Sequence, residues 1–199
     1  MKSQGIVLKN YYPKRYVIRV LDQDRGVLEV LLEDHRAFRR VFHGALLQYV
    51  FDENRRNIRI GSVNIIDIPF SWARQDIAFL HHLIELVYYG VLCGVVMRGV
   101  YDLFLALYQE QHHPFTDFLK KSIIARFFIV IGVHPEGMLE AQIFNLLEHE
   151  PIDVSGSTGI DLKAMHSLDR FLAQCLEMHP EASKLKTTRA VRHIYGDFL

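Results

Sequence analysis

The sequence predicts an α+β protein in which an N-terminal β-barrel is followed by an all-α helical domain. Short apolar runs separated by polar turns fill the first 66 residues, whereas apolar residues recur at spacings of three and four after Pro69. The chain has 199 residues, of which 50% are hydrophobic, so it can bury a sizeable core. We therefore expect two domains, residues 1–68 and 69–199.

Runs rich in Val, Ile, Leu and Tyr predict the strands, because these residues favour extended, half-buried chain. Turn residues such as D-Q-D-R-G at 22–26 separate the runs. The predicted strands are 5–10, 16–22, 26–33, 48–51 and 58–68. Five short strands, with a helical piece between the third and fourth, fit a closed barrel of the oligonucleotide-binding (OB) type. An SH3-like barrel fits the strand count nearly as well.

The period changes to that of helices after Pro69, and Ser71 is the expected N-cap. Leu80 and Ile84 follow with helical spacing. The apolar run 86–97 is shorter than the ~20 residues that cross a bilayer, so we expect a helix buried on all sides. The expected helices are 72–89, 91–109, 115–132 and 137–148, and helices resume near Asp161 and Glu181.

Cysteine and histidine patterns give no sign of a metal centre. Cys93 and Cys175 lie in apolar, helix-like contexts without CxxC spacing, so both are expected to be buried and reduced. His81, His82 and Glu85 read HHxxE rather than HExxH, which favours helix-surface histidines. No catalytic motif is present. We expect a soluble cytoplasmic protein with no metal, no cofactor and no enzymatic activity.

The net charge of zero conceals a gradient along the chain. Residues 1–66 contain twelve Lys and Arg against seven Asp and Glu, a net charge of +5. Residues 67–150 contain five against ten, a net charge of −5, and residues 151–199 balance at six and six. This asymmetry favours an anionic partner for the N-terminal part.

Short motifs in a fixed order along nearly the whole chain resemble RecO, the bacterial recombination mediator. The segments that carry the resemblance are G-I-V-L-K (5–9), L-D-Q-D-R-G-V-L-E-V (21–30), F-H-G-A-L (42–46), R-Q-D-I (74–77), L-I-E-L-V (83–87), R-F-F-I-V-I-G-V-H-P-E (126–136) and K-L-K-T-T-R (184–189). Two departures from the family stand out. Residues 137–150 lack the cysteines of the four-cysteine zinc module that many members carry, and Glu33 and Asp34 are acidic in a loop that is usually basic.

The resemblance implies an OB-fold domain that binds single- and double-stranded DNA. It also implies strand annealing, contact with the C-terminal tail of single-strand-binding protein, and RecA loading together with RecR, in the bacterial cytoplasm at the nucleoid. No membrane contact is expected. The alternative is a protein-interaction adaptor of the same machinery that has little DNA affinity of its own, in keeping with Glu33, Asp34 and the acidic residues 67–150.

Phosphates are bound by long cations, and unpaired bases stack on aromatic rings. Tyr11 and Tyr12 lie in a turn beside Pro13, so they are expected outside the barrel core. The candidate DNA-binding residues are Lys9, Tyr11, Tyr12, Lys14, Arg15, Arg19, Arg36, Arg39, Arg40, Arg55, Arg56 and Arg59. The candidate residues for the partner peptide are Lys121, Arg126 and Phe127, because an acidic tail needs an apolar pocket with a cation at its rim.

The segment at residues 34–46 reads D-H-R-A-F-R-R-V-F-H-G-A-L and combines both residue types. On a helical wheel its apolar and basic residues separate to opposite sides. We expect a short helix that closes one end of the barrel. Its predicted inner residues are Phe38, Val41, Phe42 and Ala45, and its predicted outer residues are Arg36, Arg39, Arg40 and His43.

Overall fold

Residues 2–52, 58–109, 116–137, 147 and 162–198 are described by a computed structural model of the chain. The N-terminal part forms five β-strands close to the predicted ones. Each strand is an apolar run that ends at a turn or a charged residue. The strands are β1 (Lys2–Asn10), β2 (Val17–Asp22), β3 (Gly26–Leu32), β4 (Leu46–Asp52) and β5 (Arg59–Asp67).

The five strands form a closed barrel in the order β1-β2-β3-β5-β4, with β4 pairing back onto β1. All pairings are antiparallel except that between β3 and β5, which is parallel. Alternate side chains fill the interior, including Val7, Ile18, Val30, Leu47 and Tyr49. The predicted combination of a closed five-stranded barrel with helices is confirmed.

A buried carboxylate organises the turn between β2 and β3. Asp22 accepts hydrogen bonds from the hydroxyls of Ser3 at 2.6 Å and Tyr49 at 2.5 Å. It also accepts the backbone N–H groups of Asp24 and Arg25, both at 2.9 Å. Burial and the nearby Asp22 raise the pKa of Tyr49 far above its ordinary value. The turn is thereby tied to β1 and β4.

The predicted helix at residues 34–46 is much shorter than expected. Helix α1 spans His35–Phe38, and the side chain of Asp34 caps it by accepting the N–H of Arg36 at 2.8 Å. The chain then turns, and Gly44 has a φ of +79°. Because only four residues are helical, the separation of apolar and basic residues on a helical wheel of thirteen residues does not hold. Phe38 is buried as predicted, but the prediction that Phe42 faces the core is wrong, because its side chain is 53% exposed.

The helices that follow the barrel begin close to the predicted positions, except that the helix predicted for residues 91–109 begins at Arg98. They are α2 (Phe70–Gly90), α3 (Arg98–Gln109), α4 (Asp117–Val130) and α5 (Leu162–Met178), with 3₁₀ helices at Ala182–Lys184 and Arg192–Phe198. Helix α2 starts at Phe70, one residue before the expected cap Ser71. Most of the predicted helix 137–148 lies outside the described residues. Among the described helices, none combines the length and apolarity that crossing a bilayer requires.

The apolar segment after α2 is not the buried helix predicted for residues 86–97. Helix α2 ends at Gly90, and Gly94 has a φ of +76°. Cys93 forms an isolated bridge with Val27 of β3, and the N–H of Gly94 donates to the carbonyl of Val27 at 2.9 Å. Cys93 is exposed rather than buried, whereas Cys175 is buried as expected. The segment is non-helical where it bridges to the edge of β3, and it makes a turn in which the N–H of Val95 donates to the carbonyl of Leu92 at 3.3 Å.

The chain divides into two compact units. Unit 1 consists of residues 1–70 and 84–102, and unit 2 consists of residues 71–83 and 103–199. The predicted boundary between residues 68 and 69 differs from this division. Residues 84–102 belong with the barrel because of contacts such as the hydrogen bond from the hydroxyl of Tyr101 to Oε1 of Gln4 at 3.3 Å.

Unit 2 has a core of its own, in which a histidine takes part. His82 is fully buried, so the prediction that it lies on a helix surface is wrong for this residue, although His81 is exposed. The ring nitrogens of His82 contact the hydroxyls of Thr187 at 2.9 Å and Tyr195 at 2.5 Å. Partners more than a hundred residues away permit this burial, since a buried polar ring needs hydrogen bonds.

Candidate functional site

Basic segments of unit 1 meet at one end of the barrel. The N–H of Leu32 donates to the carbonyl of Tyr16 at 3.2 Å, and the N–H of Leu31 donates to the carbonyl of Ile58 at 3.0 Å. The turn 11–16 and the start of β5 therefore flank the carboxyl end of β3, from which the chain continues into α1.

Two exposed tyrosines rest on a buried phenylalanine at this end. The ring of Tyr12 is stacked on Phe38 at 6.3 Å between centroids, and the ring of Tyr16 meets Phe38 edge-on at 5.3 Å. Tyr12 is 39% and Tyr16 is 44% exposed, whereas Phe38 is 1% exposed. We call Tyr12 and Tyr16, with Phe38 beneath them, the tyrosine surface. Its rings are held in place and open to solvent, as base stacking requires.

Exposed cations accompany the tyrosine surface. Lys14 and Arg15 lie in the same turn, where their N–H groups donate to the carbonyl of Tyr11 at 3.0 and 3.2 Å. Within the described residues, none of the exposed cations of this turn and of the α1 region forms an ion pair. These five cations are Lys14, Arg15, Arg36, Arg39 and Arg40. Their side chains are open to an external anion such as a phosphate.

Lys9, Arg19 and Tyr11, which were also predicted to bind DNA, lie in a different cluster. Lys9 and Arg19 are paired across β1 and β2, and both cover the ring of Tyr88, at 5.0 and 4.2 Å from its centroid. The hydroxyl of Tyr11 lies 3.0 Å from that of Tyr88 and 3.2 Å from Oε1 of Glu29. Burial raises the pKa of Tyr11 above its ordinary value. These three side chains are thus engaged by the chain itself.

Of the remaining predicted cations of the barrel, Arg59 is the one that the structure describes, and it is engaged within the chain. Arg59 is paired with Glu33 at 3.4 Å, which offsets its charge. Arg55 and Arg56 lie outside the described residues. The acidic pair that departs from the RecO pattern is thus used locally, since Glu33 meets Arg59 and Asp34 caps α1.

The predicted peptide site on α4 is not an open surface. Lys121 is buried and forms an ion pair with Asp169 of α5, and Phe127 is buried in unit 2. Lys120, which precedes Lys121 in the sequence, contacts Asp76 at 2.7 Å. Burial alone would raise the pKa of Asp76, but Lys120 and the N–H of Phe79 outweigh it and hold that pKa below its ordinary value. Helix α4 is apolar on several sides, which buries Lys121 and Phe127 and leaves Arg126 half-buried.

A groove that sequence reasoning missed runs between α1 and β5. It has a volume of about 400 Å³ and is lined by Asp34, Arg36, Ala37, Arg40, Val41, Val63, Asn64 and Ile65. We call it the α1–β5 groove. The i, i+4 spacing of Arg36 and Arg40 is the sequence feature that could have indicated the groove. Its opposite wall comes from a strand more than twenty residues away, which no local pattern predicts. Arg39 does not line the groove, so the structure separates it from the other two arginines.

Neither metal ligation nor similarity to known proteins adds an assignment. Among the residues that the structure describes, no three His, Cys, Asp or Glu side chains are grouped so that they could hold a metal ion. No protein-family model matches the chain, and no curated protein matches it significantly. The candidate site therefore rests on the geometry of unit 1, where the tyrosine surface and five exposed cations share one end of the barrel.

Proposed function

We propose that this chain is a RecO-like, non-enzymatic mediator of DNA recombination and repair, and that its barrel is of the OB type. The tyrosine surface with its accompanying cations carries the proposal. Exposed rings beside unpaired cations are the combination that single-stranded DNA needs, because bases stack and phosphates seek positive charge.

The topology of the barrel supports the OB assignment over an SH3-like one. The strand order β1-β2-β3-β5-β4, closed onto β1, has α1 between β3 and β4. OB folds bind oligonucleotides with the loops that join β1 to β2 and β4 to β5. In this chain the first of these loops is residues 11–16, which holds the exposed Tyr12 and Tyr16. The sequence between β4 and β5 includes Arg55 and Arg56, which lie outside the described residues.

Strand annealing follows from the same chemistry in this proposal. Each stacked base contributes about 1–3 kcal/mol without regard to sequence, and phosphate contacts act equally on any strand. A surface of this kind holds two single strands without preference until they pair. The resemblance to RecO adds double-stranded DNA, RecR and the tail of single-strand-binding protein as partners, with RecA loading as the outcome, at the bacterial nucleoid.

A salt titration of oligonucleotide binding tests the proposal. Fluorescence anisotropy with a labelled oligo-dT would compare the wild type with Lys14→Ala/Arg15→Ala and with a control, Lys2→Ala/Arg74→Ala. The control removes two exposed cations, one at the other end of β1 and one on α2. We expect the slope of log affinity against log salt to fall by about 0.7 per lost phosphate contact in the first variant and to stay unchanged in the control.

The stacking contribution is tested separately by Tyr12→Leu/Tyr16→Leu. This change removes the stacking faces but no charge, so we expect affinity to fall by about 1–3 kcal/mol per stacked base while the salt slope is preserved. If the wild type does not bind oligo-dT at low salt, the proposal is wrong. The adaptor alternative would then be examined by recovery of RecR or single-strand-binding protein with the chain.

A further inference from the structure

We propose that the α1–β5 groove binds an acidic, extended peptide of a partner protein, which adds to the free edge of β5 as an extra strand. This inference goes beyond the proposed DNA binding and does not depend on it. It combines an unpaired strand edge, an apolar floor and two arginines that lie together in unit 1.

The free edge of β5 is the first observation. β3 and β5 pair at Leu31 with Arg59 and at Leu32 with Ile60. Beyond these pairs no strand in the described part of the chain adds to β5 on this side, so from Gly61 to Asp67 the strand pairs with β4 alone. A row of unpaired N–H and C=O groups is a template for another strand.

Beyond the two β3–β5 pairs, another segment of the described chain covers the edge of β3 but not the edge of β5. Cys93 bridges to Val27, and the N–H of Gly94 donates to the carbonyl of Val27 at 2.9 Å. Within the described residues, β5 has no equivalent cover over Gly61 to Asp67. Ser62, Asn64 and Ile66 are exposed on this strand, and 44% of Ile66 is accessible to solvent.

The groove has an apolar lining that suits a peptide strand. Its volume of about 400 Å³ falls within the range of small-ligand pockets. Val41, Val63 and Ile65 line it with apolar surface, on which alternate side chains of an added strand can pack. Main-chain hydrogen bonds to β5 would supply affinity, and these apolar positions would supply specificity.

The charge of the groove selects an acidic partner. Arg36 and Arg40 are exposed at its rim and have no ion-pair partner among the described residues. The carboxylate of Asp34, also in the lining, accepts the N–H of Arg36 at 2.8 Å and so is engaged in capping α1. Two arginines against one engaged carboxylate leave a net positive rim, which pairs best with Asp or Glu side chains.

A peptide fits this groove better than a nucleic acid does. None of the described residues that line it is aromatic, so the groove offers no ring on which a base can stack. The stacking platforms of unit 1 are Tyr12 and Tyr16, neither of which lines the groove. A strand edge recognises main-chain amides, which nucleic acids lack.

The test uses the full chain and a fluorescent heptapeptide of alternating glutamate and valine. We expect this peptide to bind by anisotropy, and hydrogen exchange to slow for the amides of residues 61–67. Two matched peptides serve as controls: one carries N-methyl groups on alternate amides, and the other has lysine in place of glutamate. Both should lose binding. Equal binding of the N-methylated peptide would overturn strand addition, and equal binding of the lysine peptide would overturn the charge preference.

Protein variants locate the site. Arg36→Ala/Arg40→Ala should weaken peptide binding at least about tenfold, because two charge-assisted contacts are lost. Lys14→Ala/Arg15→Ala should leave peptide binding unchanged while it weakens oligonucleotide binding. If the first variant affects the oligonucleotide but not the peptide, the groove belongs to DNA and the inference is overturned. Circular dichroism and thermal melting would confirm that each variant folds, so that lost binding reports on the groove.

Discussion

At the scale of single residues, two phenylalanines four positions apart have opposite environments. Phe38 is 1% exposed beneath Tyr12 and Tyr16, whereas Phe42 is 53% exposed. We expect Phe38→Ala to lower the free energy of unfolding by about 3–5 kcal/mol, because it empties a packed site. Phe42→Ala should change it by no more than about 0.5 kcal/mol, as surface substitutions do.

Urea unfolding of the two variants measures this difference directly. Since the substitutions remove the same ring, the comparison isolates burial. Similar losses of stability in both would mean that α1 and the turn after it are oriented differently. Phe38→Ala should also weaken oligonucleotide binding, because Tyr12 and Tyr16 lose their support, and Phe42→Ala should not.

The candidate site was predictable from the sequence where exposure is decided locally. Tyr12, Lys14 and Arg15 belong to a turn beside a proline, and turns lie at the surface. The fate of Arg19 and Lys121 was not predictable in this way. Their partners, Tyr88 and Asp169, lie far along the chain, so no local sequence pattern predicts these contacts.

At the scale of elements, the edge of β3 is closed by a backbone approach that only glycine permits. Gly26 has a φ of +74°, and a Cβ placed there would lie 1.9 Å from the carbonyl oxygen of Val95. Gly94 has a φ of +76°, but a Cβ there would meet nothing within 4 Å. We expect Gly94→Ala to cost about 1–2 kcal/mol for its φ alone. Gly26→Ala should cost clearly more, because β3 and residues 91–96 must separate.

Thermal or urea unfolding of both alanine variants checks this expectation, since the difference between them reports the clash rather than the conformation. Equal costs would show that residues 91–96 are free to move away from β3. The same geometry explains why the sequence misled at residues 86–97. A continuous apolar run predicts a buried helix, but here its second half covers a strand edge instead.

Helices α4 and α5 are joined by an ion pair in which Lys121 is buried and Asp169 is partly buried. Lys121→Met leaves the partly buried carboxylate of Asp169 without this partner, so we expect a smaller loss in the free energy of unfolding than the loss of about 3–5 kcal/mol for a fully buried pair. Lys121→Met/Asp169→Asn removes both charges and should recover much of that loss. Urea unfolding of the single and double variants measures the coupling. If Lys121→Met were neutral, Lys121 would be available for a surface role and the peptide site first expected there would regain support.

The strands were the part of the fold that the sequence predicted best, because each is a short apolar run between turn residues. The order in which they pair was open to two barrel types, since strand count alone does not fix topology. The ends of α2 lie within two residues of the predicted helix 72–89, but a break inside it was not predicted. The backbone at Asp76 is extended within α2, where its carboxylate accepts the N–H of Phe79 at 2.9 Å and so caps a second helical segment.

At the scale of the whole molecule, the chain leaves the first compact unit, returns to it and leaves again. Residues 84–102 return to the barrel, where Leu86, Val87 and Val100 are buried. The boundary predicted from the change in period at Pro69 therefore does not coincide with the division into compact units. Periodicity reports secondary structure, whereas the extent of a compact unit depends on which surfaces pack together.

This course of the chain can be tested by dividing the protein at the predicted boundary. When residues 1–68 and 69–199 are produced as separate chains, we expect them to copurify, because residues 84–102 retain the contacts that complete the barrel. Among these contacts are Cys93 with Val27 and Tyr88 with Arg19. The matched control carries Gly26→Ala in the first fragment, which should weaken the association by forcing residues 91–96 away from β3. A barrel fragment that folds alone and does not bind the second fragment would instead place the boundary at residues 68 and 69.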